Sequence, residues 1–360
     1  MPYNARATDS AGAAFSEWIL NYQIAPSGLC RYFRFGAHAG EESPLATAYA
    51  ILWLLGTHPS EARRLGEALL ELQHASLENR YVHGGVPSIA NARLAFYYSS
   101  DALICTKAMV ALWHATHDDR FLGSAGRFAD FVLRMTSGPE FLLSNVGYPM
   151  QYVTPDGEYQ NSLVTNVGML FFDALRDYGQ AAGNGRILQL FDVGKEFLLS
   201  EVQAPNGAFY DHYDPGYPPV RYSRSRWRWF KNDGDGKIGI SDNMLMSALG
   251  AQLLGDGSHV ARFLDWVRPV DGAFYAYVNV DNREPAFVSG DRPYFDIVCS
   301  GMYSVLRARA QRSADPAALA ALAGAAAGDG GYRWGKLAGD GWVDSSAEAL
   351  VTGYWAALCL

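Results

Sequence analysis

Three observations predict that this chain folds as an all-α (α/α)6 toroid, a double ring of about twelve helices. First, a glycine stands shortly before an aromatic in six places: Gly28 with Tyr32, a poorer copy at Gly84-Gly85, Gly157-Glu158-Tyr159, Gly207-Ala208-Phe209-Tyr210, Gly272-Ala273-Phe274-Tyr275 and Gly331-Tyr332. Second, an apolar helical run follows each one. The runs begin near Ser43, Asp101, Asn161, Asp242, Asp296 and Asp344, at spacings of 58, 60, 81, 54 and 48 residues in a chain of 360. Third, these runs alternate with helices of a different kind.

The runs at 45–55, 102–113, 163–175, 244–254, 297–306 and 347–358 are apolar nearly all round. Thr47, Thr106, Thr165, Ser247, Ser300 and Thr352 are their small polar exceptions. A helix apolar on every side is buried on every side. The intervening segments at 13–22, 60–74, 124–135, 187–202, 259–267 and 316–327 are amphipathic, with Glu61, Arg64, Glu67 and Glu71 marking one solvent face. Six buried helices alternating with six half-exposed ones make an inner and an outer ring in one domain spanning residues 1–360. Turns from inner to outer helices are short, as at 56–59 and 255–257, whereas outer-to-inner connections are long, above all 203–241. Long loops gathered at one end of a rigid scaffold are where binding and catalysis concentrate. Inner-helix N-termini add partial positive charge there.

Composition narrows the function. The net charge of −8 argues against a surface that grips nucleic acid. No apolar stretch approaches the roughly 20 residues of a membrane span. The N-terminus lacks the apolar segment of a secretory signal, so the chain reads as cytoplasmic, or as secreted with its signal already removed. Cys30, Cys105, Cys299 and Cys359 are scattered, with neither metal spacing nor a disulfide framework, and read as small buried hydrophobes.

The architecture resembles the six-hairpin toroid superfamilies along essentially the whole chain. One branch comprises glycoside hydrolases, polysaccharide lyases and sugar epimerases; the other comprises terpenoid cyclases and protein prenyltransferases. Residues 203–209, Gln-Ala-Pro-Asn-Gly-Ala-Phe, and 268–274, Arg-Pro-Val-Asp-Gly-Ala-Phe, are similar to the Gln/aromatic repeats of terpenoid cyclases, with Arg268 in place of the glutamine. Such repeats tie helices together. The Asp-x-Asp-Asp acid of a protonating cyclase and the zinc set of a prenyltransferase are both missing from the sequence. The resemblance therefore implies the saccharide branch.

Five inner runs carry an acid at or near their start, Glu42, Asp101, Asp242, Asp296 and Asp344, while the sixth has Asn161 with Glu158 upstream. Aspartate is a preferred helix cap. A ring that points several acids into one funnel also pushes neighbouring pKa values apart, supplying the acid and base that glycosidic cleavage needs. Asp242 and Asp101 are the foremost candidates, followed by Asp296. His212 and Tyr210 are candidate bases for elimination or epimerisation of a uronate. In residues 221–230, four arginines alternate with aromatics. Arg226 and Arg228 are expected to fork onto an anionic group, and Trp227, Trp229 and Tyr275 to stack on sugar rings, with His83 nearby. Residues 231–242 resemble the calcium loop of EF-hands and dockerins, with Asp233, Asp235 and Asp242 as ligands but Lys231 at the first position. Calcium is the one cofactor expected. The partner expected is a small-molecule or oligosaccharide substrate, and the reading is a glycoside hydrolase acting on an anionic saccharide. The alternatives are a lyase or epimerase, a cyclase-like enzyme, and a non-catalytic saccharide-binding toroid.

Overall fold

A computed structural model describes residues 10–75, 77–93, 95–137, 152–157, 159–160, 163–210, 212–213, 240–242, 244–285, 294–310, 312–337 and 348–360. Six helices form an inner ring: α2 (Pro44–Leu54), α4 (Ser99–Thr116), α6 (Thr165–Leu170) continued by α7 (Ala174–Ala182), α9 (Met244–Leu253), α11 (Ile297–Arg309) and α13 (Leu350–Ala357). Each packs on the next, and α13 packs back on α2. Outside them run α1 (Ser10–Trp18), α3 (Pro59–Leu72), α5 (Asp119–Ser137), α8 (Gly185–Glu201), α10 (Gly257–Trp266) and α12 (Pro316–Ala325). The two helix kinds have the burial their patterns predict. In α2 every residue but Leu45 is buried, whereas α3 buries only Ala62, Leu65, Gly66 and Leu69.

Aromatic side chains fill the ring axis. Tyr49 of α2 lies 4.8 Å from Tyr354 of α13 and 5.5 Å from Phe171, which follows α6 on the far side of α4. A floor there leaves the N-terminal end of the inner helices as the mouth of the funnel.

The third inner run is where the sequence reading needs correction. Instead of one helix over 163–175, a strand is followed by α6, a break at Phe171–Asp173, and α7. Phe171 meets Tyr49 at the axis, and the buried Asp173 takes a 2.5 Å hydrogen bond from Lys107 of α4. Both residues are held by tertiary partners that helical periodicity does not register. In the last repeat the left-handed glycine is Gly330 rather than Gly331, one residue from the expected position.

Short strands line the mouth: β1 (Tyr97–Tyr98), β2 (Tyr152–Val153), β3 (Tyr159–Gln160), β4 (Leu163–Val164), β5 (His212–Tyr213), β6 (Ile240–Asp242), β7 (Tyr277–Asn279), β8 (Tyr294–Asp296) and β9 (Gly335–Leu337). They join each long loop to the next by antiparallel pairing, β1 with β2, β4 with β5, β6 with β7 and β8 with β9. The circle is completed by a Phe33–Ala349 bridge and by the Ala90 N–H donating to the Glu42 carbonyl at 2.8 Å.

On the outer wall, tight turns after α1, α8, α10 and α12 place a glycine at positive φ, Gly28, Gly207, Gly272 and Gly330, with Gly84 and Gly157 doing so in the longer loops after α3 and α5. These turns press on the next outer helix. A Cβ at Gly207 would lie 2.6 Å from the Arg262 carbonyl of α10, and Gly330 abuts Ala14 of α1, closing the circle. Glutamines complete the tie. Gln203 Nε2 donates to the carbonyls of Gly207 and His259, both at 2.9 Å, and Gln73 Nε2 to those of Gly84 and Ser124. Arg268 instead bonds the carbonyls of Asp265 and Val267 at the end of its own helix. The helix-tying role that the resemblance implies is thus present at the glutamines.

Two glycines separate the conformational cost from the packing cost. Gly255 also has positive φ, but a Cβ there meets nothing within 4 Å. Gly255→Ala is expected to cost about 1 kcal/mol from the left-handed backbone alone. Gly207→Ala adds a backbone collision and is expected to cost at least about 2 kcal/mol more. Urea denaturation of both variants measures the difference, and equal losses would refute the stitching role.

Candidate active site

The first turns of the inner helices expose backbone N–H groups that something must satisfy. How each is satisfied decides which acids remain free for chemistry. In α2 the cap is Ser43, whose side chain accepts from the Ala46 N–H at 3.2 Å. Its neighbour Glu42 instead accepts from the Ser27 hydroxyl at 2.7 Å. In α11 Asp296 is the cap, with Oδ1 accepting from the Val298 N–H at 3.1 Å. Asp101 differs. It is the third residue of α4, inside the first turn, and the cap position belongs to Tyr98.

Asp101 is consequently a buried carboxyl with no capping duty. It is 4% exposed, and Oδ2 has no hydrogen-bond partner among the described residues. Burial pushes its pKa up from an ordinary 3.8 to about 7, with the Ser88 and Ser100 hydroxyls pulling the other way. Desolvation penalises the charged form, so near neutrality this acid carries its proton for much of the time. The same charge centre pushes up the buried Cys105 thiol, one turn further along α4, after burial itself.

Asp101 and Asp296 stand on the second and fifth inner helices, yet they act on one group. Tyr32, in the loop before α2, has its phenol pKa raised first by burial, then by the charges of Asp296 and Asp101. The Tyr32 carbonyl also receives the Leu350 N–H of α13 at 3.0 Å, which fixes its loop to the sixth inner helix. Tyr32 thus feels the charges of two acids that belong to two other repeats. A phenol held protonated serves as a donor, not as a base. Tyr32 was overlooked as a site residue in the sequence, although it ends the first Gly-aromatic repeat; nothing local marks which repeat aromatic faces the acids.

Aromatic rings border this centre. Tyr275 stacks on Phe295 at 4.5 Å and 18°, immediately before Asp296. Phe33 meets Trp334 edge-on at 6.0 Å, and the Trp334 carbonyl takes the Ile297 N–H of α11 at 2.9 Å.

The other predicted residues are placed as follows. Asp242 ends β6, opposite Tyr277 and two residues before α9. Tyr210 is partly buried, and its carbonyl accepts from the Thr165 hydroxyl at the start of α6. His212 sits in β5 opposite Val164. His83 lies in the turn against outer helix α5, where its carbonyl accepts from Arg134. Arg226, Trp227, Arg228 and Trp229 lie outside the described residues, as do Asp233, Asp235, Glu158, Asn161 and Asp344. The loop at 231–239 is thus not described, and among the described residues no group of three or more His, Cys, Asp or Glu side chains is placed to hold a metal. Cys30, Cys105 and Cys299 are buried, Cys359 is half-buried, and all four are free thiols. Among the described residues no helix is long and apolar enough to cross a membrane.

No protein-family model matches the sequence, and no curated protein matches it. Solved structures match over nearly the full length. An alpha-amylase from Clostridium perfringens superposes with a TM-score of 0.67 at 11% identity, covering 98% of both chains. A sugar epimerase from a ruminal bacterium gives 0.66 at 11% identity, covering 98% of this chain and 96% of its own. The unsaturated glucuronyl hydrolase of Bacillus sp. GL1 gives 0.62 at 13% identity, covering 98% and 95%. At these identities the likeness is one of fold, and the chain has the (α/α)6 toroid fold.

The raised acid has a signature in stability. Between pH 3.8 and about 7 the folded chain holds a proton on Asp101 that the unfolded chain has lost. Stability therefore falls as pH rises through that window, by on the order of 4 kcal/mol. Asp101→Asn is expected to be more stable than wild type at pH 8, with the gap closing near pH 4. Urea midpoints across that range provide the check, and parallel pH profiles would disprove a protonated Asp101.

Proposed function

We propose that this protein is a carbohydrate-active enzyme, a glycoside hydrolase that cleaves an anionic, uronate-type oligosaccharide held at the mouth of the toroid. The observation that carries the reading is Asp101: a desolvated, uncapping carboxyl with one unpartnered oxygen and a pKa near 7, facing the same phenol as Asp296. A general acid is most effective when its pKa lies near the working pH. In this reading Asp101 protonates the glycosidic oxygen, and Asp242 or Asp296 is the second carboxylate. That second group either activates water or attacks the sugar. Tyr32 donates a hydrogen bond to the substrate. Arg226 and Arg228 bind the anionic group, and Trp227, Trp229 and Tyr275 bind ring faces, with His83 at the periphery. Support comes from structural neighbours whose names include an alpha-amylase, an endoglucanase and a glucuronyl hydrolase, each sharing the whole toroid.

Sugar epimerases are also among these neighbours, so elimination or epimerisation through Tyr210 and His212 is the competing chemistry. For residues 231–242 calcium is a proposal resting on sequence alone, and with Asp242 as a calcium ligand Asp296 becomes the second carboxylate. A melting temperature that rises with calcium and falls with EGTA supports it; a chelator-insensitive melt defeats it.

The test is turnover of uronate-containing and neutral oligosaccharides, with products identified by NMR. Asp101→Asn is expected to lose about 10²–10⁴ in kcat, and the fall in activity above pH 7 expected of wild type should disappear with it. Asp242→Asn is expected to be similarly impaired, while folding survives because Asn is nearly isosteric with Asp and keeps the backbone pairing with Tyr277. Retained turnover in both, with loss in His212→Ala or Tyr210→Phe, would move the protein to the lyase or epimerase class.

A further inference from the structure

A second cavity lies outside the acid centre, wedged between the start of α9, the end of α10 and the hairpin that follows it. Its volume is about 110 Å³, and its walls include Trp266, Phe274, Tyr275 and Val278. The remaining lining is aliphatic or sulfur-bearing except for two arginines, Arg268 and Arg283, and among the described residues no carboxylate lines it. An apolar cavity of about 150 Å³ is known to stay dry and accept benzene; at about 110 Å³ this one admits a short acyl chain or the leading part of a single ring, with the rest at the arginine-lined rim.

The arginines set the charge of the occupant. Arg268 bonds only the Asp265 and Val267 carbonyls, and neither arginine forms an ion pair among the described residues. Both are exposed at their own positions, although the chain as a whole carries −8. Arg283 adopts φ +67, a left-handed backbone that non-glycine residues rarely take, and its guanidinium sits 5.6 Å above the Trp266 ring. Backbone strain of this kind persists where surrounding structure requires the placement. A guanidinium held at the edge of an aromatic-walled cavity suits an anionic head above an apolar tail.

We infer that this cavity is a binding site for a small apolar carboxylate, an aryl or short-chain acyl anion, with the tail among Trp266, Phe274 and Tyr275 and the carboxylate on Arg268 and Arg283. The site shares Tyr275 with the sugar-binding surface of the hydrolase reading but does not rest on that reading, and its test needs no assay of activity. It does adjoin the acid centre, because Tyr275 stacks on Phe295 next to Asp296.

Isothermal titration of the full chain with benzoate tests the site, with benzyl alcohol as the neutral isostere. Saturable benzoate binding at least about fivefold tighter than benzyl alcohol is expected, as one favourable charge contact of ordinary strength would give. Arg283→Gln and Arg268→Gln are each expected to weaken benzoate by a similar factor at unchanged melting temperature. A crystal soaked with 4-bromobenzoate should place bromine beside Trp266. No saturable heat with wild type, equal affinity for benzyl alcohol, or bromine density only elsewhere would each overturn the inference. The wild-type comparison and the bromine position decide the matter even if a variant misfolds.

Discussion

The structure depends on the circle of backbone pairing at the mouth of the inner ring. Six long loops cannot satisfy their own polar groups within so little regular structure. Each therefore borrows a short strand or bridge from the next, through to the Phe33–Ala349 bridge that joins the last loop to the first. The same seam carries a polar cluster. Glu348 accepts from Trp18 Nε1 at 2.8 Å and pairs with Arg34, which also bonds Asp329. Breaking that seam would free the sixth inner helix from the first, and with it the geometry that brings distant acids to one point.

Burial alone does not explain the acid centre, as other aspartates in the chain show. Asp118, half-buried beside Arg120 and Arg63, is held down to about 2. Asp173 is as buried as Asp101 and is likewise raised by desolvation, but Lys107 sits 2.5 Å away and Arg176 3.6 Å away as counter-charges. A buried carboxylate with a cation at hand is a cross-link, here between α4 and the break before α7. Asp101 has burial without a cation, and its proton is therefore available for transfer.

The apolar cavity beneath Arg268 and Arg283 reverses those charges. Among the described residues cations stand there without acids, whereas at the mouth Asp101 is buried without a cation and Tyr32 feels the charges of both Asp101 and Asp296. Two neighbouring places with opposite electrostatic character are suited to different ligands, and the Tyr275–Phe295 stack is the wall they share.

The sequence by itself determined the ring. Six-fold spacing, all-round apolarity in α2 or α9, and one-sided apolarity in α3 are local patterns, and burial follows from them directly. Gly28, Gly207 and Gly272 were legible for the same reason, since a left-handed turn leaves its mark at one position. Asp101 and Asp296 were legible as acids at helix starts, but not as different from each other. Which of them caps its helix, and which stays desolvated and protonated, depends on Ser88, Tyr98 and the surrounding packing. The break at Phe171–Asp173 was hidden likewise, because Tyr49 and Lys107 act on it across the ring. Tertiary structure alone decided these points, because desolvation and cross-ring contacts are properties of what surrounds a residue and leave no trace in its own neighbourhood of the chain.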